Sequence, residues 1–218
     1  ANGSYVNHAK VGYLLSETAK SGSVTWTRLS GNIDANSPHV IPLDSSELLG
    51  EQLYRDTTLI NGPDSLVSET FYEIIFSAMD SSNNQSTDII KTPVYYDTTR
   101  ANVTITFDQL FVDSDTTVII TATFSESALP DSSVTLSLDF AGNYHDISDS
   151  SMAIVDNDSS IWELTVQIPP EASNQGNVGV SITAFDLASN PIDSTIMTDT
   201  LYVDNTDAKA TFSYINIS

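Results

Sequence analysis

A repeat of domain length constrains this chain more than any other feature. The segment Tyr95-Tyr96-Asp97-Thr98-Thr99, followed by Asn102-Val103-Thr104-Ile105-Thr106-Phe107, returns 107 residues later. The second occurrence reads Tyr202-Val203-Asp204-Asn205-Thr206, followed by Ala208-Lys209-Ala210-Thr211-Phe212-Ser213-Tyr214. Solenoid units recur at about 20 to 50 residues, so this spacing marks whole domains. Two domains of ordinary size fit the 218 residues. The boundaries that follow are 1–98 and 99–206, with 207–218 as the first strand of a following repeat or an assembly strand.

The apolar residues fall in short runs of Val, Ile, Leu, Tyr and Phe separated by Ser, Asp, Asn, Gly and Pro, which is strand and turn chemistry. In the first copy such runs predict strands over Val11–Leu15, Val24–Leu29, His39–Leu43, Gln52–Leu59, Phe71–Met79 and Ile89–Tyr96. Ala1 to His8 is a weak, polar version of a further first strand. In the second copy they predict Val103–Phe107, Thr117–Phe124, Val134–Phe140, Ser151–Val155, Ile161–Ile168, Val178–Phe185 and Ile196–Val203. No segment holds a helical apolar period over three turns, and one short helical turn is expected over Ser45–Leu49. Seven short strands at this spacing predict an all-β fold, two tandem Greek-key β-sandwiches, with Trp26 and Trp162 in the cores.

Three further landmarks align the copies. Ser16-Glu17 after Tyr13-Leu14-Leu15 matches Ser125-Glu126 after Ala122-Thr123-Phe124; Ser23-Val24-Thr25-Trp26 matches Ser133-Val134-Thr135-Leu136. Ala78-Met79-Asp80, ending at Asn84, matches Ala184-Phe185-Asp186, ending at Asn190. A Thr-Phe-Ser-Glu strand end, an Ala-x-Asp-x-x-x-Asn turn and a Tyr-x-Asp-x-Thr junction together resemble the tandem bacterial immunoglobulin-like (Big/cadherin-like) repeats of large cell-surface or secreted proteins. That resemblance covers essentially the whole chain. It implies immunoglobulin-like sandwiches, an extracellular or cell-surface location, and a non-enzymatic role in spacing and adhesion alongside neighbouring repeats of the same protein.

Charge narrows the partners. The formal net charge is −22. Residues 101 to 205 carry 16 acidic side chains and no Lys or Arg, against 12 acidic and six basic in residues 1 to 100. Nucleic acid and anionic lipid need Lys or Arg, so neither is an expected partner. Such a charge is screened by salt or by bound cations. No run reaches the length of a membrane span, and the first residues lack the pattern of a leader, so either a leader was removed or the chain is a piece of a longer one. Cysteine is absent, which removes disulfides, thiolate metal sites and thiol nucleophiles.

Catalysis finds little support. His8, His39 and His145 occupy no shared place in the two copies, and no Gly-x-Ser-x-Gly elbow is present. Calcium, which takes six to eight oxygens from carboxylates, Asn side chains, carbonyls and water, suits the Asp- and Asn-rich turns best. The candidate ligands are Glu17, Asp80 and Asp97 for the first copy, and Glu126, Asp186, Asp204, Asn205 and Asp207 for the second. Asp80 and Asp186 have a competing role as caps of their own turns. Asp113-Ser114-Asp115 and Asp156-Asn157-Asp158 read first as hairpin turns. Because residues 101 to 205 hold no Lys or Arg, cation binding is expected to be stronger around Asp204 than around Asp97.

Two alternatives stay open. One is a glycan- or cell-binding module that uses exposed aromatics such as Tyr54, Tyr72 or Tyr144. The other is a filament subunit in which residues 208–218 add as a strand to another copy, because an apolar strand with an unpaired edge is a template for pairing. An enzyme fragment is a third and weaker reading, since modules of this type accompany extracellular hydrolases.

Overall fold

The computed structural model describes residues 4–51, 53–63, 65–128, 134–141, 146–170 and 175–212. The chain forms two compact units: residues 1–101 with the loop Phe185–Pro191, and residues 102–184 with 192–218. Both are all-β immunoglobulin-like sandwiches.

In the first unit one sheet has the order β1 (Ser4–Val6), β7 (Ile89–Tyr96), β6 (Thr70–Asp80), β3 (Ala19–Gly31) and β4 (His39–Pro42). The second pairs β2 (Val11–Leu14) with β5 (Leu53–Thr57). All pairs are antiparallel except β1 with β7. Alternation along β3 turns Val24 and Trp26 inward, where they meet Ile41, Leu43, Leu59, Tyr72 and Val94 in one core. A side chain of this size contributes about 1.5 to 3 kcal/mol when buried. Gly31 has φ +87°, and a Cβ there would lie 2.4 Å from the carbonyl oxygen of Glu69, so the turn admits only glycine. The expected helical turn is a 3-10 turn over Ser45–Leu48. Asp44 caps Ser46 N, and Glu47 reaches back to Asp44 N.

The second unit repeats the plan with more strands. One sheet runs β13 (Ala153–Val155), β14 (Asp158–Gln167), β10 (Thr117–Phe124), β8 (Asn102–Phe107) and β17 (Ser194–Met197). The others are β12 (Ile147–Ser151), β11 (Thr135–Asp139), β16 (Gly179–Thr183), and β15 (Gly176–Asn177), β18 (Tyr202–Val203), β9 (Phe111–Val112). β10 shows strict period two, with Val118, Ile120, Ala122 and Phe124 buried and the residues between them turned outward. Val103, Ile105, Leu136, Leu138, Phe140 and Trp162 are also buried in this unit.

The copies agree to the level of single hydrogen bonds. Tyr5 pairs with Tyr95 across a parallel ladder in the first unit, and Phe111 pairs with Tyr202 in the second. The ring centroids are 5.3 Å and 6.0 Å apart. Directly after each ladder, Asp97 N donates to Val6 O and Asp204 N to Val112 O.

Several expectations shift. The single strand read over Ile196–Val203 is two pieces, β17 and β18, because the first pairs with β8 and the second with β9 and β15. Ser151–Val155 lies across the end of β12 and all of β13. Residues 204–212 carry no strand, and the rest of the expected 207–218 strand lies outside the described residues. The Asp156-Asn157 turn has φ +50° and +61°, the backbone of a tight two-residue hairpin between β13 and β14.

Candidate cation site

Two turns of identical chemistry close the Ala-x-Asp strands. Asp80 Oδ1 accepts from Ser82 N at 2.7 Å and Asn84 N at 2.8 Å, and Asp80 Oδ2 accepts from Asn84 Nδ2 at 2.7 Å. Asp186 repeats this with Ala188 N, Asn190 N and Asn190 Nδ2, each at 2.8 Å. The backbone pairs Asp80 N with Asn84 O and Asp186 N with Asn190 O. Asn83 and Ser189 take the left-handed conformation at φ +68° and +69°. This is the turn-capping role of both residues, written out in full. Hydrogen bonds from Asn84 lead in holding the Asp80 carboxyl below its ordinary range.

The two turns differ in burial. Asp186 is 0 % exposed and Asn190 6 %. The loop that carries them, Phe185–Pro191, belongs to the first compact unit. There Asn190 Nδ2 also lies 3.0 Å from Asp97 O and 3.1 Å from Thr99 O, which ties the loop to the Asp97–Thr99 turn.

Asp97 is itself buried, at 3 % exposure. Its Oδ1 accepts from Ser68 Oγ at 3.0 Å and Thr99 N at 2.9 Å, while Ser68 Oγ accepts from Thr98 N. One carboxylate oxygen of Asp97 and one of Asp186 lie within 4.8 Å of each other. Two buried carboxylates at that separation repel by about 3.5 kcal/mol at an effective dielectric of about 20. A cation between them converts that repulsion into attraction.

Glu17 is exposed in the bend between β2 and β3, and its backbone packs so closely on Gly50 that a Cβ there would lie 2.3 Å from the Glu17 carbonyl carbon. Glu126 is half-buried in the second unit, directly after Ser125, whose N–H donates to Asn102 O and whose Oγ accepts from Asn102 N. Asp204 is exposed; its Oδ1 accepts from Thr206 N and Gln175 Nε2. Asn205 Oδ1 accepts from Ser114 N and Oγ, and Asp207 is exposed outside any strand. Asp97 is thus buried, while Asp204 is exposed.

Tyr72 is not an exposed platform for a glycan. It is fully buried because β6 turns it into the core beside Trp26, with ring centroids 5.8 Å apart. Tyr144 and the Tyr54 side chain lie outside the described residues. The Tyr72 hydroxyl donates to Asp34 Oδ2 at 2.7 Å and accepts from Val67 N at 3.0 Å. His39 Nε2 lies 2.6 Å from the same Asp34 oxygen, and Asn36 N donates to Asp34 Oδ1. Burial pushes Tyr72 up to about 12, helped by the Asp34 carboxylate. For Asp34 burial acts upward, but the bonds from Tyr72, His39 and Asn36 outweigh it and hold the carboxyl below its ordinary value. Sequence reasoning missed this network; an isolated Asp in the Gly31–Pro38 loop carries no periodic signal.

No family model matches the sequence, and no curated protein is significantly similar to it. Among solved structures, the chain is similar to the FN1-FN3 domains of chicken CNTN1, with 13 % identity over 88 % of this chain and a TM-score of 0.34. It spans 60 % of the length of that chain. It is also similar to the type II cohesin dyad from the adaptor ScaA scaffoldin of Acetivibrio cellulolyticus, with 9 % identity over 95 % of this chain and 97 % of that one, and a TM-score of 0.23. No helix among the described residues is long and apolar enough to cross a membrane.

Proposed function

We propose that this chain is a non-enzymatic, extracellular structural or adhesive repeat module of the bacterial immunoglobulin-like kind, stiffened by calcium where one repeat follows another. The observation that carries the calcium clause is the buried Asp97 and Asp186 pair, two carboxylates within 4.8 Å of each other. Backbone carbonyls and water would complete the six to eight oxygens calcium takes. Calcium held there would fix the Tyr95–Thr99 segment that joins the repeats. The repeated sandwich with matched turns, together with a net charge of −22, supports the spacer clause.

Thermal melts in calcium and in chelator test the proposal. Extracellular calcium modules have dissociation constants of about 0.1 to 1 mM, so about 10 mM calcium stabilises the bound state by up to about 2.7 kcal/mol. A rise in melting temperature with calcium, lost in Asp97→Asn, is expected. Identical melts in calcium and chelator would remove the calcium clause. The parent reading frame tests the spacer clause: further copies of the repeat support it, and a neighbouring catalytic domain would recast the chain as an enzyme accessory.

A further inference from the structure

Among the described residues, the first unit keeps an apolar groove open where the second unit has a strand. In the second unit β10 is hydrogen-bonded on both edges, to β14 and to β8. β8 also runs parallel to β17, and it buries Val103 and Ile105 with Ala101 just ahead of it. In the first unit β2 stands where β10 does, as the matched Ser-Glu ends require, and β2 pairs only with β5 among the described residues. By the 107-residue spacing, Ile89 and Ile90 stand where β17 places Ile196 and Met197.

A groove of about 290 Å³ lies among these elements, with Val11, Tyr13, Leu14, Trp26, Ile89 and Val94 in its lining. Leu14 is 60 % exposed and Ile89 55 %. The indole N–H of Trp26, in the same lining, is buried without a hydrogen-bond partner among the described residues. In the other unit the matched residue is Leu136, which has no donor to satisfy. Open strand edge, exposed apolar rim and unmatched donor are what a missing β-strand leaves behind.

The chain itself contains a segment of the right pattern. Ala208, Ala210 and Phe212 stand at the repeat positions of Ala101, Val103 and Ile105, all three buried and the last two on β8. Residues 208 to 212 carry no strand, and Phe212 is 90 % exposed. Charge agrees. Lys10 and Lys91, two of only seven basic residues, line the groove, while Asp204 and Asp207 lead into the segment.

We propose that the Ala208–Phe212 segment of a second copy of this chain adds to β2 in this groove, antiparallel to it as β8 is to β10. Ala208, Ala210 and Phe212 then face the core, and a backbone carbonyl of the added strand becomes available to the Trp26 N–H. The contact is heterologous, head to tail, so it propagates into an open chain of copies unless rotation closes a ring. This deepens the repeat-module reading by naming the partner, and it does not depend on calcium.

Light scattering and hydrogen exchange on the full chain, both in chelator, test it. Concentration-dependent association is expected, with protection of the Val11–Leu14 amides appearing as the oligomer forms. Phe212→Asp, a change at an exposed site that leaves both cores intact, should weaken association at least tenfold. A peptide spanning Asp207 to Ser218, added to the Phe212→Asp chain, should protect Val11–Leu14, and the same peptide carrying Asp in place of Phe212 should bind at least tenfold more weakly. A monomer at every concentration together with no peptide binding would overturn the proposal while leaving the repeat-module reading standing. In a monomer, protection of Val11–Leu14 amides beyond those bonded to β5 would overturn the second-copy assignment, because the groove would then be filled from within one chain.

Discussion

Asp186→Asn and Asp80→Asn make the same chemical change in the same turn, yet the first should reverse its sign when calcium is withdrawn. In either turn the amide oxygen of the new Asn keeps the two backbone N–H bonds. Its NH₂ then faces the NH₂ of Asn190 or Asn84, so the bond from that residue's Nδ2 is lost. Inverting the Asn190 amide is no escape, since its Nδ2 also serves Asp97 O and Thr99 O. One buried hydrogen bond to a charged carboxylate is worth about 1.5 to 3 kcal/mol. Against that loss, Asp186→Asn removes a charge whose repulsion with Asp97 is about 3.5 kcal/mol at the 4.8 Å limit. In chelator the balance is a net gain of about 0.5 to 2 kcal/mol, an upward shift of at least a few degrees for a domain of this size. In calcium the gain vanishes, because the variant forfeits a ligand charge and the wild type alone is stabilised by the ion. Asp80 belongs to no such acidic group among the described residues, so Asp80→Asn should destabilise modestly and equally in both conditions. Calorimetry of the three proteins, with and without chelator, reads all of this. If Asp186→Asn lowers the melting temperature by the same amount in calcium and in chelator, Asp186 is a turn cap alone and the electrostatic reasoning fails.

Tyr72→Phe removes the donor to Asp34 and the acceptor of Val67 N, so denaturant unfolding should show a loss of about 1.5 to 3 kcal/mol in the first unit. Tyr72 ionises in the unfolded chain near pH 10 and in the folded unit near 12, so its contribution is intact below about pH 10 and is lost as pH climbs toward 12. Asp34 shifts the other way: its contribution is intact above the ordinary carboxylate range and is lost as pH falls through the depressed folded value, so acid melts of Asp34→Asn should be flatter than those of the wild type. Ile105→Ala empties a fully buried position on β8 and should cost about 2 to 5 kcal/mol, with any separate calorimetric transition of the first unit unmoved.

Local physics made much of the fold legible. Thr117–Phe124 and Ile89–Tyr96 are strands over the very residues that alternation marks, because period two and β-branched content leave one sensible assignment. The capping role of Asp80 and Asp186 was readable for the same reason, since an Asx turn is closed by residues two and four positions away. What escaped the sequence depends on partners far along the chain. Nothing in Ile196–Val203 says that its first half pairs with β8 and its second with β9. Nothing in Asp97 says that its carboxylate meets Asp186 rather than Asp80, because both turns carry the same Asp-x-x-x-Asn pattern and only tertiary packing tells them apart. Tyr72 misled for a related reason: the aromatic alternation of Phe71-Tyr72 names a buried face without saying which, and the Asp34 acceptor that permits a tyrosine inside sits 38 residues earlier.

Calcium titration of the chelator-stripped full chain by isothermal calorimetry tests the central claim, that the buried Asp97 and Asp186 carboxylates form a cation site. The account predicts saturable binding in the range of about 0.1 to 1 mM that disappears in both Asp97→Asn and Asp186→Asn and persists in Asp204→Asn. Absence of binding in the wild type, or binding that survives both substitutions, would contradict it.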